Sequence, residues 1–481
     1  MNLLIVLKTL GVLLLCESAA MLPSILVAVI YNEDTILAFV ASLLITAAAG
    51  ALLFMLKAEN NMVRYRESFA IVTFGWLAAS ILGALPFLFT GLFPSFLDAF
   101  FESISGFTTT GATVIQNVEA LPYSLLFWRS FTHWLGGMGI LVLALALQPA
   151  LGAGTFQIFK AESPGPILAK LTPRVSDTAK ILYITYLLIT AGEILLLAGG
   201  GMPLFDSMIH AFGTLATGGV SSKNMSIGAY DSVYLELVVT VFMIAAGANF
   251  ALYYRVCKEK NPAGFFQNTE FRIYLSVIAV YIAIITLNIN GEVFDSVFTS
   301  LRYASFQVAS IITTTGYTTA DFNAWPDLSR ALLLSLMFVG PCAGSTGGAM
   351  KMIRIYIVFR YVQREVNKLI HPRAVKSINI DDVPVQENVL SGVMAFTILY
   401  LGIFIAATVL LTTQKISLFN SAAAVAAALG NVGSGLGLVG SSGTYTHFTA
   451  FSKIILSFCM LLGRLEIYTV LSLLSPQFWK Q

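Results

Sequence analysis

Thr108-Thr109-Thr110-Gly111-Ala112 is the first of four short loops that decide how this chain folds; the others are Ala216-Thr217-Gly218-Gly219-Val220, Thr313-Thr314-Thr315-Gly316-Tyr317 and Gly430-Asn431-Val432-Gly433-Ser434. Each lies between two apolar stretches, so the chain repeats one unit four times, and a repeat of this kind outranks every other signal. Thirteen residues before Gly111, Gly219 and Gly433 stand Asp98, Asp206 and Asn420, each within a similar phrase, Phe96-Leu97-Asp98, Leu204-Phe205-Asp206 and Leu418-Phe419-Asn420. The third unit keeps the loop but has Tyr303 at that place. Four similar units can surround one axis, which points to a pore.

The composition sets the medium. Of 481 residues, 57% are hydrophobic and 11% charged, and mean hydropathy is +0.82, far more apolar than a soluble chain. Ten stretches reach the roughly 20 residues that a spanning helix needs: 3–31, 35–56, 69–91, 123–148, 179–200, 231–255, 273–290, 328–360, 388–412 and 449–475. Between the members of the last four pairs lie segments of about a dozen residues ending at the glycine loops; they are too short to cross and read as re-entrant helices. The expected fold is an all-α polytopic membrane protein, with about ten transmembrane helices plus four re-entrant pore loops around a pseudo-fourfold pore. It divides into an N-terminal helix pair (1–62) and four helix–pore loop–helix repeats at 63–150, 151–260, 261–376 and 377–481.

Lys8 followed by an apolar stretch invites a signal-peptide reading, and Cys16 a lipoprotein one, but the apolar character runs on past Glu17 to Tyr31 without a small-residue cleavage pattern. Cys16, Cys257, Cys342 and Cys459 have no metal-type spacing and define no disulfide framework. Net charge is only +2, yet 19 of the 27 Lys and Arg fall at 57–66, 160–180, 255–272, 351–376 and the C-terminal end. The positive-inside rule makes those connections cytoplasmic, puts both termini inside and brings all four loops in from the outer side. The run Arg354, Arg360, Arg364, Lys368, Arg373 and Lys376 reads equally as lipid-headgroup attraction or as a docking face for a cytosolic partner.

The loops suit a cation. A dehydrated potassium ion needs oxygens in place of its water shell, and backbone carbonyls from four loops supply them. The candidate ligands are the carbonyls of Thr109, Thr110 and Gly111, of Thr217, Gly218 and Gly219, of Thr314, Thr315 and Gly316, and of Asn431, Val432 and Gly433. Glycine reaches backbone conformations that turn successive carbonyls toward one axis, and a short helix ending at each loop points its negative end at the cavity. The loops contain no acidic residue, which disfavours a carboxylate-ring calcium filter.

Below the third loop, Gly340-Pro341-Cys342-Ala343-Gly344-Ser345-Thr346-Gly347-Gly348 interrupts a long span. Proline and four glycines must break a helix there, leaving an unwound segment under the filter as a candidate gate: Gly344, Ser345, Thr346, Gly347 and Gly348. Arg464 lies inside the last span, where a charge faces a cavity or a partner; Glu466 is two residues on and points elsewhere on a helix. Glu102 on the first pore helix reads as a structural acid or an outer cation attractor, Glu193 and Asn249 as helix-to-helix hydrogen-bonding residues, and His133 and His210 as packing residues.

These loops, with His133-Trp134-Leu135-Gly136-Gly137-Met138-Gly139, Cys342-Ala343-Gly344-Ser345-Thr346-Gly347-Gly348 and Gly463-Arg464-Leu465-Glu466, resemble the Trk/Ktr/HKT superfamily of potassium transport proteins, and nearest its bacterial TrkH/TrkG branch. The resemblance covers nearly the whole chain. It implies one filter glycine per repeat, at Gly111, Gly219, Gly316 and Gly433, with K+ ions in the filter. Plant relatives with serine at the first of these tend to pass sodium, so Gly111 implies potassium. It also implies that 340–348 is an intramembrane loop obstructing the path beside Arg464, a homodimer with one pore per protomer in the bacterial inner membrane, and a cytosolic NAD-binding TrkA-like regulatory subunit that assembles as a ring. Ser434 stands where the family pattern has Pro, Val220 where an aromatic is common, and Pro341 and Ala349 where Gly is usual.

No Walker A loop and no Gly-x-Gly-x-x-Gly after a strand occurs, and the longest cytosolic segment, about 150–178, is too small for a nucleotide domain. A secondary transporter would show two halves, against four units of one orientation here, and an intramembrane enzyme would need convergent His, Asp, Glu or Ser groups. The residues leave open whether potassium movement is coupled to protons or sodium.

Overall fold

The computed structural model describes residues 1–56, 63–139, 175–372, 377–381, 383–441 and 443–479. Each repeat has an entry helix, a short pore helix and an exit helix. The entry helices are Tyr65–Leu82, prolonged by Leu85–Phe89, then Val175–Gly199, Thr269–Ile289 and Glu387–Thr412. The pore helices are Phe96–Phe107, Leu204–Leu215, Val297–Ile312 and Leu418–Leu429. Three of them have 12 residues, about 18 Å of rise, so they cannot cross a bilayer.

Among the described residues, six helices are long and apolar enough to span, or eight if two bent pairs count as single spans. The remaining two of the ten expected spans are the first exit helix, Tyr123–Gly137, with residues 140–148 of the expected span outside the described residues, and the broken third exit helix. The outer surface is apolar: Leu37, Leu195, Leu287 and Ile398 are all more than 70% exposed, the inverse of a water-soluble fold and what lipid contact requires. This is a multi-pass membrane protein. The only described strands are Asn379–Ile380 and Val383–Pro384, an antiparallel ribbon pairing Asn379 with Pro384 and Ile380 with Val383.

The N-terminal pair, Leu3–Ala20 with Leu22–Ile30 and then Ile36–Phe54, packs through glycine. A Cβ at Gly11 would sit 2.7 Å from the Gly50 carbonyl oxygen, a closeness that only small residues permit. The pair is tied to the first repeat by polar contacts. Asn2 N donates to Glu67 Oε1 at 3.0 Å. Glu33, from the turn between the two helices, accepts Ser124 N at 3.0 Å at the start of the first exit helix, where a carboxylate is favoured by the orphan N–H groups.

The repeated Asp/Asn phrase also finds its reason. Asp98 accepts Ser95 Oγ at 2.8 Å and Lys453 Nζ at 2.6 Å; Asp206 accepts Ser222 Oγ at 2.7 Å; Asn420 Oδ1 accepts Leu438 N at 3.2 Å. Each fastens the start of a pore helix to a neighbouring segment. The third pore helix starts about one turn earlier relative to its filter glycine, so Tyr303 falls inside the helix and cannot play this part. Its Arg302 instead pairs with Glu236 of the second exit helix at 2.6 Å.

None of the four exit helices is one straight, continuous span within the described residues. Tyr123–Gly137 stops at a glycine run, and Val233–Ala246 meets Phe250–Glu259 at 91°. Asp327–Val339 stops before Pro341, and Ala450–Leu465 meets Ile467–Leu474 at 119°. The sequence reading foresaw a break only in the third. In the fourth, Glu466 at φ +62° turns the chain, so Arg464 lies at a helix end and not midway along a continuous span.

Candidate functional site

Each pore helix closes with the same cap. Thr109, Thr217, Thr314 and Asn431 have φ of 55°, 53°, 60° and 51°. The next N–H, of Thr110, Gly218, Thr315 and Val432, donates five residues back to Ser105, Gly213, Ser310 and Ala427 at 2.8–2.9 Å. This is the Schellman arrangement, in which a left-handed residue ends the helix. Glycine usually fills that place; four non-glycine residues held there are strained. One residue on, the filter glycines repeat a left-handed turn, with φ of 79°, 63°, 83° and 78° at Gly111, Gly219, Gly316 and Gly433.

The loops close into a ring. A Cβ at Gly111 would overlap the Gly218 carbonyl, one at Gly219 that of Thr315, one at Gly316 that of Val432, and one at Gly433 that of Thr110. Each filter glycine thus abuts the carbonyl preceding the next one, in the order first, second, third, fourth, first. All four glycines line a single cavity of about 280 Å³, which also takes in Arg129, Lys223, Ser434 and Tyr445. Of the twelve residues assigned to the filter, Gly111, Gly218, Gly219, Thr315, Gly316, Val432 and Gly433 line this cavity, and the Thr110 carbonyl abuts Gly433.

Behind the ring, side chains lock the loops. His133 Nδ1 is 2.9 Å from the Arg129 carbonyl, and the ring packs on Gly218; His210 lies 2.7 Å from the Asp206 carbonyl and 2.9 Å from Ser221 Oγ. Tyr317 donates to the carbonyls of His210 and Val220 at 3.0 Å. Asn431 Nδ2 reaches Thr110 Oγ1 and the Met460 carbonyl, both at 2.9 Å, joining the fourth repeat to the first. Glu193 is buried beside Thr214 of the second pore helix.

Glu102 serves structure. It is 3% exposed, pairs with buried Arg129, and accepts Thr113 Oγ1 at 3.0 Å and Val114 N at 3.1 Å. Removing one partner of a buried pair costs about 3–5 kcal/mol, because the other charge is left unmatched. Glu102→Ala is expected to lower the thermal midpoint in detergent markedly, and Glu102→Ala with Arg129→Met to restore most of it. Equal losses in the single and double variants would contradict this account.

Beneath the ring lies the segment 340–351. Gly340, Gly344, Ala349 and Lys351 have φ of 73°, 74°, 56° and 74°, so the chain cannot be helical there; Ala349, where the related pattern has Gly, carries the strain of a left-handed turn. The loop is wedged against the filter: Gly348 N donates to Thr314 Oγ1 at 2.9 Å, and a Cβ at Gly347 would sit 2.7 Å from the Thr313 carbonyl. Ser345 and Thr346 are buried. From the second repeat, the Gly247 carbonyl accepts Cys342 N and Phe250 N donates to the Gly344 carbonyl, both at 3.0 Å. Asn249, at this bend, caps its own following helix through Ala251 N and packs on Gly344, so its bond is local and not helix-to-helix.

Three charged side chains hold the loop. Arg464 donates to the carbonyls of Thr346, Gly136 at 2.6 Å and Gly137 at 2.7 Å, and approaches Thr109 Oγ1 at 3.4 Å. Glu466 pairs with Arg354 instead. Glu270 accepts Ala343 N at 2.7 Å and Ile353 N at 3.1 Å, bracing both ends. Lys351, 1% exposed, donates from Nζ to the Gly347 carbonyl and faces Ser345 Oγ at 3.4 Å. The sequence reading counted Lys351 with the cytoplasmic basic connection and missed its place. The signal was its position directly after the glycine run, which makes it part of the unwound segment.

Of the basic run after it, Arg354 is buried over the Phe396 ring, and Arg364 pairs with Glu387 at 2.6 Å, so neither is available to lipid or partner. Arg373 and Lys376 lie outside the described residues.

The profile of the TrkH family, described as a cation transport protein, matches residues 35–480. The chain is 38% identical to the Trk system potassium uptake protein TrkH of Salmonella typhimurium, over 98% of this chain and 99% of that protein. It is 34% identical to TrkG of Escherichia coli K12, over 98% and 97%. The crystal structure of the potassium transporter TrkH from Vibrio parahaemolyticus superposes with a TM-score of 0.90 at 35% identity, covering all of both chains. A likeness that spans every repeat, together with the four-membered ring, places the chain in the TrkH family of cation transport proteins.

Proposed function

We propose that this protein takes up potassium across the bacterial inner membrane through one pore per chain, with both termini cytoplasmic. The carbonyls of residues 109–111, 217–219, 314–316 and 431–433 replace the water shell of the ion. The observation that carries this reading is the closed ring in which each filter glycine abuts the next repeat's carbonyl; the relatives named as potassium uptake proteins support it. The 340–351 loop, with Gly344, Ser345, Thr346, Gly347 and Gly348 under the filter and Arg464 beside it, acts as the gate. Control comes from a cytosolic nucleotide-binding subunit of the TrkA kind, since this chain carries no nucleotide motif of its own, and the working form is a homodimer.

The test is cation uptake by the purified protein in liposomes, comparing potassium, rubidium, sodium and lithium with and without an imposed proton gradient. The expected result is potassium and rubidium flux down their own gradients, indifferent to protons. Strict dependence on the proton gradient would keep the four-loop filter but make the protein a symporter.

A further inference from the structure

The outermost ring of the filter is chemically uneven. Ser434 Oγ donates to the Gly316 carbonyl at 2.8 Å, and Tyr445 Oη donates to the Gly433 carbonyl at 2.9 Å. Both residues line the same cavity as the four glycines. Among the described residues, the Gly111 and Gly219 carbonyls take no such side-chain donor. The positions matching Ser434 in the first two loops are Ala112 and Val220, which have none to offer, and Tyr317 in the third spends its hydroxyl on His210 and Val220. Ser434 itself stands where the related pattern has Pro, whose side chain cannot donate.

Neither hydroxyl is incidental. Tyr445 is 2% exposed and is fixed at both ends: its N–H donates to the Thr113 carbonyl at 2.8 Å, and its ring packs against Phe101 and Phe448 with centroids 5.5 and 5.3 Å away. Ser434 bridges two repeats, since it belongs to the fourth loop and holds a carbonyl of the third. The two bonded carbonyls are neighbours in the ring.

We propose that Ser434 and Tyr445 are specificity-determining residues, which weaken and fix two of the four outer carbonyls and so favour potassium over sodium. The inference rests on the carbonyl-filter reading above. A carbonyl oxygen has two lone pairs; a hydroxyl that takes one leaves the other for the ion, but with less negative charge and a held orientation. A strong, mobile ring of carbonyls can close on the smaller sodium ion, while a weaker and stiffer ring cannot gain as much from it. Both effects act in the same direction, so losing either hydroxyl favours sodium.

The experiment is sodium competition against rubidium uptake by the full chain in liposomes, for Ser434→Ala, Tyr445→Phe, the double variant and Ser434→Thr. Alanine already occupies the matching place at Ala112, and phenylalanine keeps the Tyr445 ring. With one hydrogen bond lost in each, sodium should compete about fivefold better in either single variant and better still in the double, while Ser434→Thr, which keeps the hydroxyl, stays near wild type. Wild-type competition in both single variants would overturn the inference. So would a shift in Ser434→Thr as large as in Ser434→Ala, since size and not the donated proton would then be at work. If the unaltered protein shows no preference for rubidium over sodium, the filter reading itself fails, and that outcome is separable because it needs no variant.

Discussion

Gly316→Ser is expected to lower the preference for potassium over sodium by roughly tenfold or more, the equivalent of about 1–2 kcal/mol for one residue forced into left-handed backbone. At φ +83° the glycine adopts a conformation that other residues reach only with strain, and its missing Cβ is the space in which the Val432 carbonyl sits. Serine therefore does two things: it strains its own loop, and it pushes away a carbonyl assigned to the ion. Because the ring is closed, the disturbance passes to the fourth loop, which in turn abuts the first through Gly433 and Thr110. The check is competition of sodium with rubidium uptake. Gly291→Ser is the control, since Gly291 has a similar φ of 81° but open space where its Cβ would stand. A selectivity loss in both would mean general destabilisation, and an unchanged ratio in Gly316→Ser would remove this loop from the ion path.

The second large effect concerns the barrier beneath. Arg464→Ala and Lys351→Met should each raise potassium uptake by the purified protein in liposomes by about tenfold or more. A fixed positive charge about 4 Å from a passing cation costs roughly 4 kcal/mol at an effective dielectric constant near 20, and both side chains bond directly to the 340–351 loop proposed as the gate. Removing either also takes the side-chain donor from loop and exit-helix carbonyls: Thr346 and Gly137 for Arg464, Gly347 for Lys351. The loop then loses part of its reason to stay under the filter. Arg464→Lys separates the two contributions, because it keeps the charge but cannot reach three carbonyls with one planar fork. Basal uptake equal to wild type in Arg464→Ala and Lys351→Met would show that neither side chain holds the path shut.

Much of this was legible in the residues. Apolar runs long enough to span, and Thr-Thr-Thr-Gly recurring at matching places, are local signals, set by chain length and by which residues tolerate a given backbone. The Asp98, Asp206 and Asn420 phrase was visible as a pattern, but its purpose was not, because Lys453, Ser222 and Leu438 are 355, 16 and 18 residues away in sequence. The break at Pro341 was legible since proline and glycine act on the backbone at their own position. The turns at Gly247 and Glu466 were not: neither carries a proline, and each is stabilised by packing against another repeat. The pairing of Arg464 was equally hidden, since its carbonyl partners belong to the first and third repeats.

By itself, then, the sequence determined the membrane as solvent, the fourfold repetition and the four glycines whose conformations no other residue adopts without strain. These follow from hydropathy and from backbone sterics, which act within a few residues. Only the tertiary structure decided that each glycine abuts the next loop's carbonyl, that Lys351 is buried within the unwound 340–351 segment and not on an exposed basic connection, and that Ser434 and Tyr445 donate to the carbonyls of Gly316 and Gly433. Those are contacts between repeats, set by how four helical units pack around a shared axis, and no local pattern encodes which hydroxyl or ammonium will meet which carbonyl there.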